Sequence, residues 1–155
     1  MSAKEKTVKT NEMKPNEPEY QKALHALFGS FLKGDEADCS IVRPMILESW
    51  KRSRAAGVNP DAVVDSAMPE DQIRPWLQRN AAFIEVARPY MEKVYSLVQG
   101  SGFYIQLSDQ DGFLLHNIGD EDIMQFGNRM TNVYTGAEIS EKSVGTSGIG
   151  TCVAI

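Results

Sequence analysis

A chain of 155 residues with 42% apolar side chains is long enough, and apolar enough, to form one packed domain of ordinary size. Its formal net charge of −5 gives no reason to expect that the chain as a whole binds nucleic acid. No apolar run reaches the roughly 20 residues of a membrane span, and the first residues lack the apolar segment of a secretory signal. Cys39 and Cys152 lie far apart, so we expect two reduced thiols in a cytoplasmic protein.

The first part of the chain divides by composition into a tail and a helical region. Residues 1–19 are polar, with four lysines and two prolines, and predict a disordered tail. Residues 20–68 predict helices: Tyr20–Leu32 carries apolar residues at helical spacing and should end near Gly34. A second helix follows, with Trp50 on its apolar face, where we expect it to be buried. The basic residues of its last turns do not make a DNA-recognition helix, because no turn and partner helix adjoin them.

The most regular part of the chain is Pro69–Gln99, which predicts a long amphipathic helix. Its apolar residues form one broad face, and Asn80 is the single polar residue at heptad position d. Pro75 and Pro89 lie away from that face and should bend or split the helix. Two interpretations stay open: the helix packs on a sheet of its own chain, or two protomers share it.

The next segment alternates in the manner of a β-hairpin. Strands are predicted at Phe103–Ser108 and Phe113–Ile118, around the turn Asp109–Gly112. A short acidic helix should follow over residues 120–130, with Asp120 as its cap. If the sheet lines a pocket, the polar groups on its apolar faces are the candidate ligands of a bound molecule. In the hairpin these candidates are Tyr104, Gln106 and His116.

The stretch Gly136–Thr151 is rich in glycine, serine and threonine, and it predicts a tight turn into a short helix capped by Thr146 or Ser147. A loop without a ligand and a phosphate cradle are the alternatives, although the lysine of a P-loop is missing. We expect Glu141 to accept hydrogen bonds from backbone amides of this turn. The candidate ligand-binding residues of the loop region are Tyr134, Glu138, Glu141 and Thr146.

Side chains of the types that catalyse reactions are present, but they do not form a recognisable catalytic set. A pair of Cys152 and His116 has no spacing that supports it, and Cys152 is expected to be a buried structural thiol. The histidines and cysteines are too scattered for a metal site. We therefore predict a protein that is not an enzyme and has no cofactor and no metal.

Two stretches carry a resemblance to a known family. Gly136–Thr151 resembles the signature G-x-x-W-S-E-x-x-x-G-T-N-A-I-G-T of the amino-terminal sensory region of acetoin/glycerol-type sigma-54-dependent activators. Ile139 stands in place of its tryptophan, Ser147 of its asparagine and Gly148 of its alanine. The second stretch resembles the S-W-x-R-S/C-x-x-x-G-[LV]-[DN]-P segment of the same activators. The residues that match it are Ser49, Trp50, Arg52, Ser53, Gly57, Val58, Asn59 and Pro60.

The resemblance covers roughly Ser40–Ile155 and implies an α+β fold. N-terminal helices and the long helix would lead into a partial GAF/PAS-like antiparallel sheet, with residues 69–155 forming the first part of a GAF-like sensory domain. It implies a bacterial regulator that binds a small-molecule effector, forms a homodimer and controls an ATPase. The ATPase and DNA-binding domains would lie outside this chain, which itself would contact neither nucleic acid nor membrane. The alternative is a helical dimerisation or interaction module with no ligand.

Overall fold

The computed structural model describes residues 17–35, 39–61, 63 and 65–155, except for the side chains of residues 128–131. Seven helices and two strands make up this part of the chain, so the predicted α+β class is confirmed. The elements are α1 (Pro18–Lys33), α2 (Pro44–Ala55), α3 (Glu70–Arg79), α4 (Ala81–Val98), β1 (Tyr104–Ser108), β2 (Leu114–Gly119), α5 (Glu121–Thr131), α6 (Glu141–Val144) and α7 (Gly148–Val153).

The chain divides into two compact units after Glu48, within α2. In the first unit, α1 begins with a proline, whose fixed φ suits the first turn of a helix. Gly34 ends α1 as predicted, in the left-handed conformation with φ of 81°. The Tyr20 hydroxyl donates a hydrogen bond to the Ile41 carbonyl at 3.2 Å. Residues 1–16 of the predicted tail lie outside the described residues.

The helical stretch predicted as Pro69–Gln99 is two helices, and the break lies at Asn80. Pro75 and Pro89 both lie inside helices, so of the two predicted effects, bending or splitting, neither proline produces the split. At the break, the backbone and side-chain nitrogens of Asn80 both donate to the Trp76 carbonyl, at 3.1 and 3.0 Å. The Asn80 side chain thus shares the Trp76 carbonyl with the backbone hydrogen bond of the helix.

The hairpin forms a two-stranded antiparallel sheet with an irregular register. Leu107 pairs with His116 but Ser108 pairs with Leu114, so Leu115 is the extra residue of a bulge. A bulge interrupts alternation, and Leu114 and Leu115 are both buried. The strict alternation predicted for residues 113–118 therefore holds only beyond the bulge.

Each face of the hairpin is covered by a helix. Helix α4 contacts both strands, while α5 contacts β2. Gly119 lies on the α5 side, where an added Cβ would meet the Met124 side chain at 3.1 Å. Helices α4 and α5 thus cover the hairpin within one chain.

The turn of the hairpin is organised by Asp109. Its Oδ1 accepts the backbone N–H groups of Asp111 and Phe113, at 3.0 and 2.9 Å, and its Oδ2 accepts the indole N–H of Trp76 at 2.9 Å. Trp76 also meets the Phe113 ring edge-on, with centroids 6.3 Å apart. These contacts fix the turn against α3.

The segment Gly136–Ile139 joins the hairpin to the residues that precede α3. On one side, Leu114 N donates to Ala137 O at 3.0 Å and Ile139 N donates to Gly112 O at 2.8 Å. On the other side, Met68 N donates to Gly136 O and Glu138 N donates to Ser66 O, each at 2.9 Å. The buried core consists of Leu114, Ala137 and Ile139, with Val133, Val144 and Ile149 packed against it. This ladder places the glycine-rich stretch beside the sheet.

Asp120 occupies the predicted N-cap position of α5, but its carboxylate does not cap the helix. Its oxygens accept hydrogen bonds from the Tyr95 hydroxyl and from the Gly100 backbone N–H, the latter at 2.9 Å. Asp120 therefore ties the start of α5 to the end of α4. The acceptor raises the pKa of Tyr95, because a tyrosine that donates to a carboxylate loses its proton less readily.

Candidate functional site

The two stretches that carry the family resemblance meet in a polar cluster within the second unit. We call it the Arg52–Glu141 cluster; its members are Ser49, Arg52, Glu141, Thr146 and Thr151. Arg52 donates through Nε to Glu141 Oε2 at 2.6 Å and through Nη2 to Glu141 Oε1 at 2.9 Å. The Ser49 hydroxyl contacts the Thr146 and Thr151 hydroxyls at 2.7 and 3.4 Å. Helix α2 is thereby fastened to the glycine-rich stretch.

The electrostatics of the cluster favour ionised Glu141. The hydrogen bonds from Arg52 lower the pKa of Glu141 most, and hydrogen bonds from Ser49 and Thr151 add to the effect. Burial acts in the opposite direction, because the Glu141 side chain is only 5% exposed. The lowering prevails since a planar guanidinium binds both carboxylate oxygens at once. Glu141 is therefore a buried anion that is held by its own chain.

The prediction that Glu141 binds backbone amides of the turn is wrong. A charged fork that matches both oxygens is a stronger partner than neutral amides. The Gly150 amide instead donates to the Ser147 hydroxyl at 2.9 Å, which makes Ser147 the N-cap of α7, as one of the two predicted caps. Glu141 and Thr146 are both candidate ligand-binding residues. Their side chains form hydrogen bonds within the Arg52–Glu141 cluster instead.

Glu138 lies nearby and is also held by side chains of its own chain. Its Oε2 accepts the Ser66 hydroxyl at 2.5 Å, and its Oε1 accepts the Ser140 hydroxyl at 2.7 Å. Glu138 and Glu141 both line a groove of about 650 Å³, together with Arg52, Ser140 and Lys142. Thr146 and Tyr134 are not among the residues that line this groove. Tyr134 is 43% exposed, in the turn before Gly136.

A second and smaller cavity lies between the hairpin and α5; we call it the sheet cavity. It measures about 10 Å³, close to the volume that one water needs. The residues that line it are Tyr104, Gln106, Asn117, Ile123, Met124, Gly127 and Val133. It brings two of the predicted site residues, Tyr104 and Gln106, together on one face.

Two polar atoms that belong to residues lining this cavity have no hydrogen-bond partner among the described residues. They are Gln106 Nε2, a donor, and Asn117 Oδ1, an acceptor, and both atoms are buried. Gln106 and Asn117 are cross-strand neighbours in the sheet. A buried polar group without a partner costs about 1–3 kcal/mol, so both atoms favour a hydrogen-bonding group beside them.

The third hairpin candidate, His116, lies on the other face of the sheet. It pairs with Leu107 across the hairpin, one position from the Gln106–Asn117 pair, and neighbouring positions alternate between faces. Its pKa is lowered by burial and by the positive charge of Arg88 on α4, while Glu92 acts in the opposite direction. His116 is therefore a neutral side chain against α4 and does not reach the sheet cavity.

Asn117 was missed from the sequence because its partner strand could not be assigned a register. Alternation alone places the side chains of Asn117 and His116 on opposite faces of the sheet. It does not show which β1 residues lie on the same face as Asn117. The bulge at Leu115 decides that pairing. The signal in the sequence was a polar residue, next to His116, in a strand whose other large side chains are apolar.

The cysteines and acidic groups give no metal centre in the part of the chain that the structure describes. Cys39 is half-buried and Cys152 is exposed, and both are free thiols. The expectation of a buried Cys152 is wrong, because α7 turns this side chain outward. Among the helices of the described residues, none has the length and apolar composition of a membrane span.

Comparison with curated proteins shows similarity to transcriptional regulators over most of the chain. It is 40% identical over 111 residues, 71% of its length, to the "Signal-transduction and transcriptional-control protein" of Clostridium beijerinckii. It is 30% identical over 112 residues, again 71% of its length, to the "Acetoin catabolism regulatory protein" of Cupriavidus necator. An uncharacterized 47.3 kDa protein of Rhodococcus erythropolis is 39% identical over 121 residues, 76% of the chain.

These relatives are much longer than the matched region. The matches cover 17% of the Clostridium and Cupriavidus proteins and 27% of the Rhodococcus protein. No family model matches the chain. No solved structure matches it either.

Proposed function

We propose that this chain is the effector-sensing regulatory region of a bacterial sigma-54-dependent transcription activator. Residues 69–155 would comprise the long helical stretch and the first part of a GAF-like domain that binds a small metabolite in the cytoplasm. The similarity to transcriptional-control proteins and the two signature stretches support the regulatory class. The observation that carries ligand binding is the unpaired Gln106 Nε2 and Asn117 Oδ1 in the sheet cavity.

The chemistry of the two atoms defines the class of effector. A ligand must accept a hydrogen bond from Gln106 and donate one to Asn117, which a hydroxyl group or a hydroxy-ketone does. The residues that line the cavity include no charged side chain, so a charged ligand would be left without a counterion. The effector is therefore a small neutral alcohol, diol or hydroxy-ketone. Acetoin belongs to this class.

Binding would act through α5, because the cavity is too small for such a molecule as it stands. Met124 and Gly127 of α5 form part of the wall, and a methionine side chain adapts to new shapes readily. A ligand that fits only the enlarged cavity shifts the population toward the displaced position of α5. In the full-length regulator, that displacement would bias contacts to the ATPase domain.

The test is calorimetric titration with acetoin, 2,3-butanediol and glycerol. We expect saturable binding of at least one of them, and a loss of roughly tenfold or more in affinity in Gln106→Leu and Asn117→Leu, since each leaves one ligand group unpaired. Gln110→Leu is the matched control, because Gln110 is an exposed glutamine in the hairpin turn. If none of the three binds, or if Gln106→Leu binds as the wild type does, the sheet cavity is not the effector site.

A further inference from the structure

A large cavity lies in the second unit, where α3 and the start of α4 approach the turn of the hairpin; we call it the turn cavity. It measures about 790 Å³, which is within the range of cavities that hold small molecules. The turn cavity and the sheet cavity have no lining residue in common, so they are separate sites.

Three aromatic side chains from three parts of the chain line the turn cavity. They are Trp76 of α3, Phe83 of α4 and Phe113 at the end of the hairpin turn. Trp76 is held in place, because its indole N–H donates to Asp109 and its ring meets Phe113 edge-on. Phe83 is 50% exposed. The cavity therefore has a fixed aromatic wall, and an apolar ligand group would gain free energy by covering the Phe83 ring.

The same cavity is lined by two side chains of opposite charge. Arg79 lies in the last turn of α3, and Asp111 lies in the hairpin turn. Neither side chain forms an ion pair or a hydrogen bond with another described residue. Asp109 differs, since both of its carboxylate oxygens already accept hydrogen bonds within the chain. Arg79 and Asp111 are therefore the charged groups of this wall that a ligand can pair with.

We propose that the turn cavity binds an α-amino acid with a large apolar side chain. The ligand carboxylate binds Arg79, because a planar guanidinium matches two carboxylate oxygens at once. The ligand ammonium group binds the Asp111 carboxylate, and the apolar side chain packs on Phe83 and Phe113. A ligand with a single charge would satisfy only one of the two groups. This site takes a different class of ligand from the sheet cavity and does not depend on the function proposed for that cavity.

Calorimetric titration of the full chain with L-phenylalanine tests the site, and two analogues separate its two charges. Phenethylamine lacks the carboxylate, and hydrocinnamate lacks the ammonium group. We expect saturable binding of L-phenylalanine. Each analogue should bind more weakly by roughly tenfold or more, because each lacks one charge-assisted contact.

Matched substitutions assign each charge to its residue. Arg79→Met should weaken the binding of L-phenylalanine and hydrocinnamate roughly tenfold and leave that of phenethylamine unchanged. Asp111→Asn should weaken the binding of L-phenylalanine and phenethylamine and leave that of hydrocinnamate unchanged. Phe83→Ala should weaken the binding of all three. Arg74→Met is the control that should change none of them, because Arg74 is an exposed arginine of the same helix and does not line the turn cavity.

The opposite outcomes overturn the inference. The first is no saturable binding of L-phenylalanine, or binding that Arg79→Met and Asp111→Asn leave intact. The second is an analogue that binds as tightly as L-phenylalanine, which would show that the zwitterion is not recognised. The third is tighter binding of N-acetylphenylalanine amide, which lacks both charges and would identify the cavity as a peptide site.

A variant of the other cavity keeps the two sites apart. Gln106→Leu should leave the binding of L-phenylalanine unchanged, because Gln106 lines the sheet cavity and not the turn cavity. A loss of L-phenylalanine binding in Gln106→Leu would place the amino acid in the sheet cavity and overturn the inference. Circular dichroism verifies that each variant keeps the helical content of the wild type, which we expect for Arg79 and Asp111 because both side chains are exposed.

Discussion

Arg52 and Glu141 are 89 residues apart in the sequence and form a two-pronged ion pair, with N···O distances of 2.6 and 2.9 Å. The pair connects α2 to the start of α6. Both residues belong to stretches that resemble the signature of one family of regulators. In the structure, the two residues hold these stretches together through the ion pair. The signature residues fasten a helix to a glycine-rich segment.

Breaking this pair should destabilise the fold. Arg52→Met leaves the buried Glu141 carboxylate without its principal donor, and we expect a loss of about 2–3 kcal/mol in the free energy of unfolding. Urea denaturation measures this loss. In a double-mutant cycle with Glu141→Gln, the two losses should be clearly non-additive, with a coupling of about 1–3 kcal/mol. Additive losses would show that the two side chains act independently.

The pair also makes stability depend on pH in the acid range. The pKa of Glu141 is lowered in the folded protein from an ordinary value of 4.5, so the unfolded chain binds a proton more readily. The stabilisation is complete above pH 4.5 and is lost as the pH falls through the lowered folded pKa. Melting temperatures of the wild type and of Glu141→Gln, compared from about pH 6 to about pH 3, should converge toward acid. A constant difference would contradict this prediction.

His116 should titrate below its ordinary pKa of 6.5, because burial and Arg88 both disfavour its charged form. A lowered folded pKa means that its contribution to stability is present above 6.5 and decreases as the pH falls through the folded pKa. Two-dimensional NMR of the imidazole resonances measures the titration directly. Replacing Arg88 with methionine should move the pKa of His116 upward. A pKa of His116 at or above 6.5 in the wild type would be inconsistent with the packing of this face.

Gly150 should not tolerate a side chain. A Cβ on Gly150 would lie 2.9 Å from the Glu141 backbone nitrogen and 3.0 Å from the Ile139 carbonyl oxygen, and backbone atoms cannot move aside cheaply. We expect Gly150→Ala to cost about 1–3 kcal/mol. Gly148→Ala is the matched control in the same helix, because nothing lies within 4 Å of its added Cβ. In thermal denaturation, the change in melting temperature should therefore be clearly more negative for Gly150→Ala than for Gly148→Ala.

Asp109 should contribute more to the stability of the fold than its position in a hairpin turn indicates. Asp109→Ala removes the acceptor of the Trp76 indole and of two backbone N–H groups, and we expect a loss of about 2–3 kcal/mol. Asp111→Ala is the control, since the Asp111 side chain is exposed in the same turn. Chemical denaturation followed by circular dichroism compares the two variants, and equal stability would show that the turn does not depend on Asp109.

The sequence by itself determined the features that depend on neighbours within a few residues. Gly34 ends α1, Ser147 caps α7, and Asp109–Gly112 turns the hairpin, because each relies on local backbone geometry or a local hydrogen bond. The apolar periodicity of residues 69–99 likewise gave a helical stretch next to a sheet. The periodic pattern did not predict the break at Asn80, where the side chain adds a hydrogen bond to the Trp76 carbonyl.

Only the tertiary structure decided which distant groups meet. The bulge at Leu115 sets the register that places Gln106 beside Asn117 and His116 on the opposite face, and a single-residue shift would reverse this arrangement. The partner of Glu141 could not be predicted from the sequence either, since nothing local to the glycine-rich stretch indicates an arginine 89 residues earlier. Local patterns repeat over two to four residues, whereas such pairings depend on the path of the whole chain.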